Sequence, residues 1–481
     1  MLLRLRTTGR FALVLVLAGT TLLAMAGCEL RLTRPGVTIV VWDGPRWADE
    51  SGNHYHWVQR KIEEFEATHP FVEVIFVPVE WSLLRPMLDA AKNAGELPDI
   101  APFDLSAGGV TLEEIDEGLL EPVDGFLEDP DDLSPQARQA YTYDGRLWGF
   151  PSSMTGHVLL LNLHLFEERG VELPPGGRWT WEEFLEACRR LTFDRDGDGN
   201  TDVWGFATYV LPGYYEVWPF LYASGARPVS GDLTTYTFNS ESAVGALDRL
   251  VDLVFEENVA HPSTGTSSVR TVFNLFADPE QQQVAIEPWS AWAIDYLTVS
   301  EQAIKNFTVA AYPTMPIGGS ADVGEAGTPG AGEDGSGSAA LAVWGGEDGP
   351  LTIGGTGGFV VFRQEDPHRR SLVMELANYL TSTAAQYELA RGYHAFPARR
   401  SAPGLGPFAG EPAYERAAEI VFRAESLPPH SRRPEIERLI QRQIQMVLLG
   451  IKNASEALQH AGEAVAELLA EPEEEGRDED R

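Results

Sequence analysis

Hydrophobic and polar positions switch between two periods along the first stretch that can fold. Val37-Thr38-Ile39-Val40-Val41-Trp42 is a short β-branched run and reads as a strand. Val58, Ile62 and Phe65 then recur at i, i+4 and i+7, the spacing of one helix face. This helix must stop before Thr68-His69-Pro70, because a residue preceding proline avoids the α region. Phe71 to Val77 predicts a second strand, Ser82 to Asn93 a second helix, and Ile100 to Phe103 a third strand. Strands alternating with helices predict an α/β fold built on a mostly parallel sheet. Ligands of such sheets bind beyond the carboxyl ends of the strands, where Trp42-Asp43 and Phe103-Asp104 stand.

Farther along, Trp179-Thr180-Trp181-Glu182-Glu183-Phe184 has the form of a helix start: Thr180 caps, Glu183 returns the bond, and Trp179 staples onto Phe184. Residues 318–338 hold eight Gly in 21 residues with almost no large apolar side chain, so they predict a mobile surface insertion. Ile436, Leu439, Ile440, Ile444, Val447 and Leu448 return to helical spacing, and Asn453-Ala454-Ser455-Glu456 predicts the cap of a last helix. Residues 471–481 read as a disordered acidic tail.

The N-terminus changes the picture. Arg4, Arg6 and Arg10 precede an uncharged run from Phe11 to Ala26, too short and too rich in small residues for a membrane span. It reads as a secretory signal over residues 1–27. Its end, Met25-Ala26-Gly27-Cys28, resembles a bacterial lipobox, in which Cys28 is lipidated; Met25 departs from the usual Leu. The other cysteine, Cys188, is then left without a disulfide partner, so the fold must rest on its core. Losing the three leader Arg moves the formal charge from −36 to −39. Such a surface repels nucleic acid and anionic headgroups, leaving the lipid anchor as the expected membrane contact.

Asp194-Arg195-Asp196-Gly197-Asp198-Gly199-Asn200-Thr201-Asp202 places oxygen side chains at positions 1, 3, 5 and 9 of a loop, with Gly at 6, as in the first part of an EF-hand. Gly205 stands at position 12, where a bidentate Glu would complete the site. Asp194, Asp196, Asp198, Asn200 and Asp202 therefore predict a structural calcium site or a plain turn. The sequence contains no His-Glu-x-x-His, no Gly-x-Ser-x-Gly and no phosphate-binding Gly loop that opens a helix. No cofactor is expected beyond that calcium ion.

Taken in order, these pieces resemble the family 1 extracellular solute-binding proteins, which include maltose-binding protein. The resemblance runs through Glu64-Phe65 and His69-Pro70, Leu97-Pro98-Asp99-Ile100, Gly118 to Asp124, Tyr143 to Pro151, Leu161-Asn162, Trp179 to Phe184, Glu287-Pro288-Trp289, Ala311 to Pro316, the helix Ser371 to Ser382, and Phe396-Pro397. It implies the type II two-lobed binding-protein fold, with a linker over 28–35, an N-lobe of 36–152 and 357–398, and a C-lobe of 153–354 and 412–470. The three crossings between lobes are expected near Pro151–Thr155, Gly354–Gly358 and Pro397–Pro412.

The resemblance also implies a function: capture of a carbohydrate-like solute in the cleft and delivery to the permease of an ABC importer, by a monomer that performs no chemistry. Tyr215 of Tyr215-Glu216-Val217-Trp218-Pro219, Trp218 itself and Trp289 are the implied cleft aromatics. Phe103, Trp42, Thr155, Gly357 and Gly358 join them, and Asp43 and Asp104 are expected to bond the solute's hydroxyls from the other lobe. Thr155 stands where maltodextrin receptors carry an acid, which argues against maltose in particular. Two other readings keep the same residues: a surface-anchored glycoside hydrolase, and the same fold serving a chemosensor or holding a polyol phosphate or small peptide.

Overall fold

The computed structural model describes residues 36–46, 49–105, 109–211, 214–230, 235–315, 349–393, 396–402, 411–426 and 432–470. Cys28, the secretory signal, the 318–338 insertion and the 471–481 tail lie outside the described residues.

The opening follows the predicted alternation. β1 (Val37–Asp43) is flanked in parallel by β2 (Val72–Pro78) and β3 (Ile100–Ala101), with helices His56–Thr68 and Leu84–Ala94 between them. The first helix turns Trp57, Val58, Ile62 and Phe65 inward and ends at His69, one residue before Pro70. It also buries Lys61, whose ammonium is held by Glu64 at 2.8 Å and Glu388 at 2.9 Å. A short hairpin follows, β4 (Thr142–Tyr143) and β5 (Arg146–Leu147), and leads into the long β6 (Phe150–Asn162).

β7 (Trp204–Phe206), β8 (Val284–Ser290) and β9 (Phe307–Ala310) belong to the second half, and β10 (Thr352–Val361) returns to the first. β6 and β10 run antiparallel from Gly156↔Gly354 to Phe150↔Phe359. Beyond this shared stretch they diverge. Val360 and Val361 of β10 pair with β3, whereas His157 to Asn162 of β6 pair with β8 and β9. The sheet order β2-β1-β3-β10-β6-β8-β7 therefore joins two lobes through one pair of strands. β11 (Phe396–Pro397) adds to β6 at Met154 and Ser153, and β12 (Ala424–Ser426) adds to the opposite end of β10.

Each lobe's part of the sheet is mostly parallel, as the sequence predicts, with one reversed strand. β10 lies antiparallel to β3, and β6 lies antiparallel to both β8 and β9. The cause is topological: the two strands that carry the chain between lobes enter each sheet against the direction of its βα units. Pro151–Thr155 and Gly354–Gly358 lie in this joining pair. Pro397 lies in β11, and the helix Pro412–Val421 beyond it packs on β9 and β6.

Close approach explains the joining glycines. A Cβ on Gly354 would sit 2.1 Å from the Thr155 carbonyl oxygen, and one on Gly358 would sit 2.4 Å from that of Phe150. Elsewhere local signals hold. Thr180 and Glu183 form the capping box of helix Trp181–Arg190, and the rings of Trp179 and Phe184 meet edge to face at 5.3 Å. The helix predicted at Ser371–Ser382 starts earlier, at Pro367, because Asp366 accepts a bond from the His368 amide and caps it there. Helices Arg433–Leu448 and Ala454–Ala470 pack on each other and on helix Glu241–Phe255, with Asn453 accepting from the Glu456 amide. Among the described residues no helix is long and apolar enough to cross a membrane.

Candidate functional site

The carboxyl ends of β1 and β2 build one wall. Trp42 is buried in the core, and Asp43 is fully buried with both oxygens engaged. Its Oδ1 accepts from the Gly44 amide at 2.9 Å and from Arg46 Nη2 at 3.0 Å, and its Oδ2 accepts from Arg46 Nε at 3.1 Å. Burial raises the Asp43 pKa, and the Arg46 guanidinium opposes that rise. Asp43 therefore orients Arg46, in place of the free acceptor that the sequence predicts.

Arg46 in turn lies 5.1 Å from the Trp57 ring centre and 5.8 Å from that of Trp81. Trp81 stands just past β2. Its Nε1 donates to the Pro45 carbonyl at 2.8 Å, and its ring covers Gly44 so closely that a Cβ there would lie 2.4 Å from it. The ring is nonetheless 46% exposed. Trp81 is a braced aromatic face at a strand end. Sequence reasoning passed over it although the same strand-end rule that selected Trp42 applied. Phe103 is core, edge-on to Phe362 at 6.4 Å, with its carbonyl accepting from the Tyr141 hydroxyl; Asp104 beside it is exposed.

The other wall grows from the end of β8. Trp289 lies opposite Val158 of β6 and is 1% exposed. Its Nε1 donates to Glu287 Oε2 at 2.7 Å, and burial holds the Glu287 carboxyl well above the usual carboxylate range. Tyr209, Phe273 and Trp292 surround the Trp289 ring at 5.0, 4.6 and 5.6 Å between centres. The open faces belong to the edges of this array: Trp292 at 47%, Tyr296 at 42% and Tyr214 at 39% exposure. Tyr296 packs on Phe273 and Tyr214 on Tyr209, so the array is continuous. Trp218 is core, packed on Phe238. Tyr215 is half-buried, and its hydroxyl donates to Glu437 on helix Arg433–Leu448.

Between the walls run the joining strands, with Thr155 and Gly357 exposed and Gly358 buried. Two residues beyond Thr155, buried His157 places Nδ1 3.9 Å from Glu216 Oε1. Burial pulls the His157 imidazole down to about 4 and pushes the Glu216 carboxyl up to about 7.

A family model of bacterial extracellular solute-binding proteins matches residues 61–417 of this chain. The chain belongs to that family. A binding protein of Brucella abortus is 24% identical over 327 residues, covering 63% of this chain and 68% of its own. Two solved structures share the fold of this solute-binding protein. The sugar-binding protein MalE of Xanthomonas citri superposes with a TM-score of 0.69 at 18% identity, over 90% of this chain and 98% of its own. The GacH receptor of Streptomyces glaucescens, solved unliganded and with acarbose, gives 0.65 at 22% identity, over 92% of this chain and 100% of its own.

Away from the walls, this solute-binding protein carries the acidic loop. Asp194, Asp196 and Asp202 each offer a carboxylate oxygen, all within 4.8 Å of one another. Asp198 stands outside that group of carboxylates, and its Oδ1 accepts from the Asn200 amide at 2.8 Å. The Asp194 oxygens accept from the amides of Gly199 and Gly197, each at 2.7 Å, which lowers its pKa. Three converging carboxylates suit a hard cation, and all of them also accept amides of their own loop.

Proposed function

We propose that this solute-binding protein captures a neutral carbohydrate between its lobes and hands it to the permease of an ABC importer, as a monomer and without chemistry. The observation that carries this reading is the placement of exposed aromatic rings on both sides of the joining strands: Trp81 on one lobe, and Trp292, Tyr296 and Tyr214 on the other. A sugar ring has apolar C–H faces that stack on such rings and hydroxyls that need polar partners at the rim. Trp289 backs this platform and fixes its depth. Arg46 and Asp104 offer polar contacts from the N-lobe, and Thr155 from the crossing. The acarbose complex of the Streptomyces receptor and the sugar-binding role of the Xanthomonas protein support the same class of solute.

The hydrolase reading fits less well. Glycoside hydrolysis needs two carboxyl groups free to act on one bond. Asp43 is locked to Arg46 and Glu287 is bonded to Trp289, so these two do not make such a pair, and the family that the chain matches is one of solute-binding proteins.

A thermal-shift screen over maltose, maltotriose, tagatose and acarbose tests the proposal. A solute at a hundredfold excess over its Kd stabilises the folded state by about 2.7 kcal/mol, which raises the melting temperature measurably. No shift with any carbohydrate, and a clear one with a dipeptide, would replace this reading.

Two further expectations belong to the same proposal. Cys28 is the lipid attachment point, so Cys28→Ser is expected to release the protein from the membrane fraction or leave the leader uncut. A variant that is processed and still membrane-bound would contradict the anchor. Asp194, Asp196 and Asp202 hold a calcium ion weakly, so chelation is expected to lower the melting temperature slightly and leave solute affinity unchanged. Identical melting curves with a chelator and with millimolar calcium would reduce the loop to a turn.

A further inference from the structure

Helix Arg433–Leu448 is apolar where it meets the C-lobe, except along one stripe. Ile436, Ile440, Ile444, Val447 and Leu448 are buried in the core of that lobe. Glu437, Gln441 and Gln445 recur every four residues beside them, a polar row on one helix face. Glu437 is 7% exposed and Gln441 1%, so both are polar groups inside packed structure. Burying such groups costs free energy unless they are hydrogen-bonded, and apolar side chains would pack there without that cost.

All three reach loops and turns. Glu437 accepts from the Tyr215 hydroxyl, Gln441 Nε2 donates to the Tyr214 carbonyl, and Gln445 Nε2 donates to the Gly265 carbonyl at 3.4 Å. Tyr214 and Tyr215 are successive residues of the C-lobe wall. The residue after them ties the same segment to the lobe's interior. The Glu216 carboxyl and the Tyr209 hydroxyl are hydrogen-bonded to each other, and the Glu216 carbonyl accepts from the Tyr312 hydroxyl at 2.9 Å. Rings add to the hold: Tyr209 packs on Tyr214 at 5.4 Å, and the Tyr215 ring lies edge-on to His157 at 6.2 Å and to Trp218 at 5.6 Å. Tyr214 nevertheless keeps 39% of its surface exposed. A loop ring whose backbone is pinned while its surface stays open is set in advance for a ligand.

We propose that Glu437 and Gln441 are positioning residues of the carbohydrate site, which hold the Tyr214–Tyr215 segment in its binding geometry without touching the solute. This rests on the carbohydrate reading above. Without these two side chains the solute would have to order the segment itself, and residues fixed at that moment cost affinity. Ordering one residue is worth about tenfold in Kd.

The probe is whichever of maltose, maltotriose, tagatose and acarbose the parent protein binds most tightly, titrated calorimetrically well below every variant's melting temperature. Tyr215→Phe and Glu437→Leu remove the same bond, and each is expected to weaken binding about tenfold. The double variant is expected to lose no more than either single one, because two partners in one bond are not additive. Glu437→Gln keeps an acceptor oxygen and is expected to restore affinity to within about threefold of the parent. Gln441→Met keeps the length of the side chain but donates nothing, and is expected to cost about tenfold.

Affinities within about threefold of the parent in Tyr215→Phe and Gln441→Met, with only the melting temperature lowered, would overturn the proposal and make the stripe structural. A double variant weaker by about a hundredfold would also overturn it, since additive losses would mean that Tyr215 bonds the solute itself. If Glu437→Leu does not fold, Tyr215→Phe and Gln441→Met decide on the same terms. If the parent binds none of the four sugars, the carbohydrate reading fails and the positioning role falls with it. If Trp292→Ala loses affinity and these variants do not, only the positioning role fails.

Discussion

Trp292→Ala and Trp81→Ala are each expected to weaken carbohydrate binding by about 30-fold or more while leaving the protein folded. Both rings expose nearly half their surface in the free protein, so their removal opens no sealed cavity in the core. In the complex each would be an anchor covered by the solute, and truncating an anchor costs on the order of 2 kcal/mol or more. The two should differ in origin. Trp292 belongs to a continuous array with Trp289 and Phe273, whereas Trp81 is braced from behind by Gly44 and by the Nε1 bond to Pro45. Trp289→Ala is a poorer test, because that buried ring would take core packing with it. Calorimetry with the tightest-binding sugar, after circular dichroism has confirmed folding, is the measurement. Affinities within about threefold of the parent in both variants would place the solute elsewhere.

The second large effect lies at the joining strands. Gly358→Ala is expected to destabilise the free protein by about 1–3 kcal/mol, the range for forcing extra volume into a packed site. The added methyl would lie 2.4 Å from the Phe150 carbonyl oxygen and 2.8 Å from the Tyr141 hydroxyl, and a backbone atom cannot swing aside. Gly354→Ala should behave alike, since its methyl meets the Thr155 carbonyl oxygen at 2.1 Å. Gly245→Ala supplies the control. It sits in helix Glu241–Phe255, where a methyl meets only the tip of Arg249 at 3.4 Å, and Ala favours a helix over Gly by about 1 kcal/mol. Melting temperatures should therefore fall for the first two variants and hold or rise for the third. An unchanged value for Gly358→Ala and Gly354→Ala would mean that β6 and β10 do not approach this closely.

The architecture was legible wherever a local signal fixed it. Apolar period and Pro70 set the first helix, and Thr180 with Glu183 set the start of another, because caps and breakers act within a few residues. The order of motifs pointed to two lobes, and two of the three expected crossings sit in the β6 and β10 pair, while residues 403–410 of the third lie outside the described residues. The direction of those strands was not legible, because antiparallel entry into each sheet depends on residues some two hundred positions apart.

The walls were read only in part. The strand-end rule located the neighbourhood of Asp43, but whether a carboxylate faces a solute or a neighbouring Arg46 is decided by side-chain packing three residues away. Trp42, Phe103, Trp218 and Trp289 were picked as aromatics, yet burial made them core or backing, and their exposed neighbours Trp81, Trp292 and Tyr296 carry the open faces. Periodicity cannot make that distinction in loops. Nor could any motif announce His157 with Tyr209 and Glu216, whose meeting is a product of tertiary structure alone.

The central claim is that a neutral carbohydrate occupies the space between the lobes. Its most direct test is isothermal titration of the purified protein at neutral pH with maltose, maltotriose, tagatose, acarbose, glycerol 3-phosphate and a neutral dipeptide. The account predicts saturable one-to-one binding of at least one carbohydrate and none of the phosphate or the dipeptide. Saturable binding of glycerol 3-phosphate or the dipeptide, with all four carbohydrates inert, would contradict it.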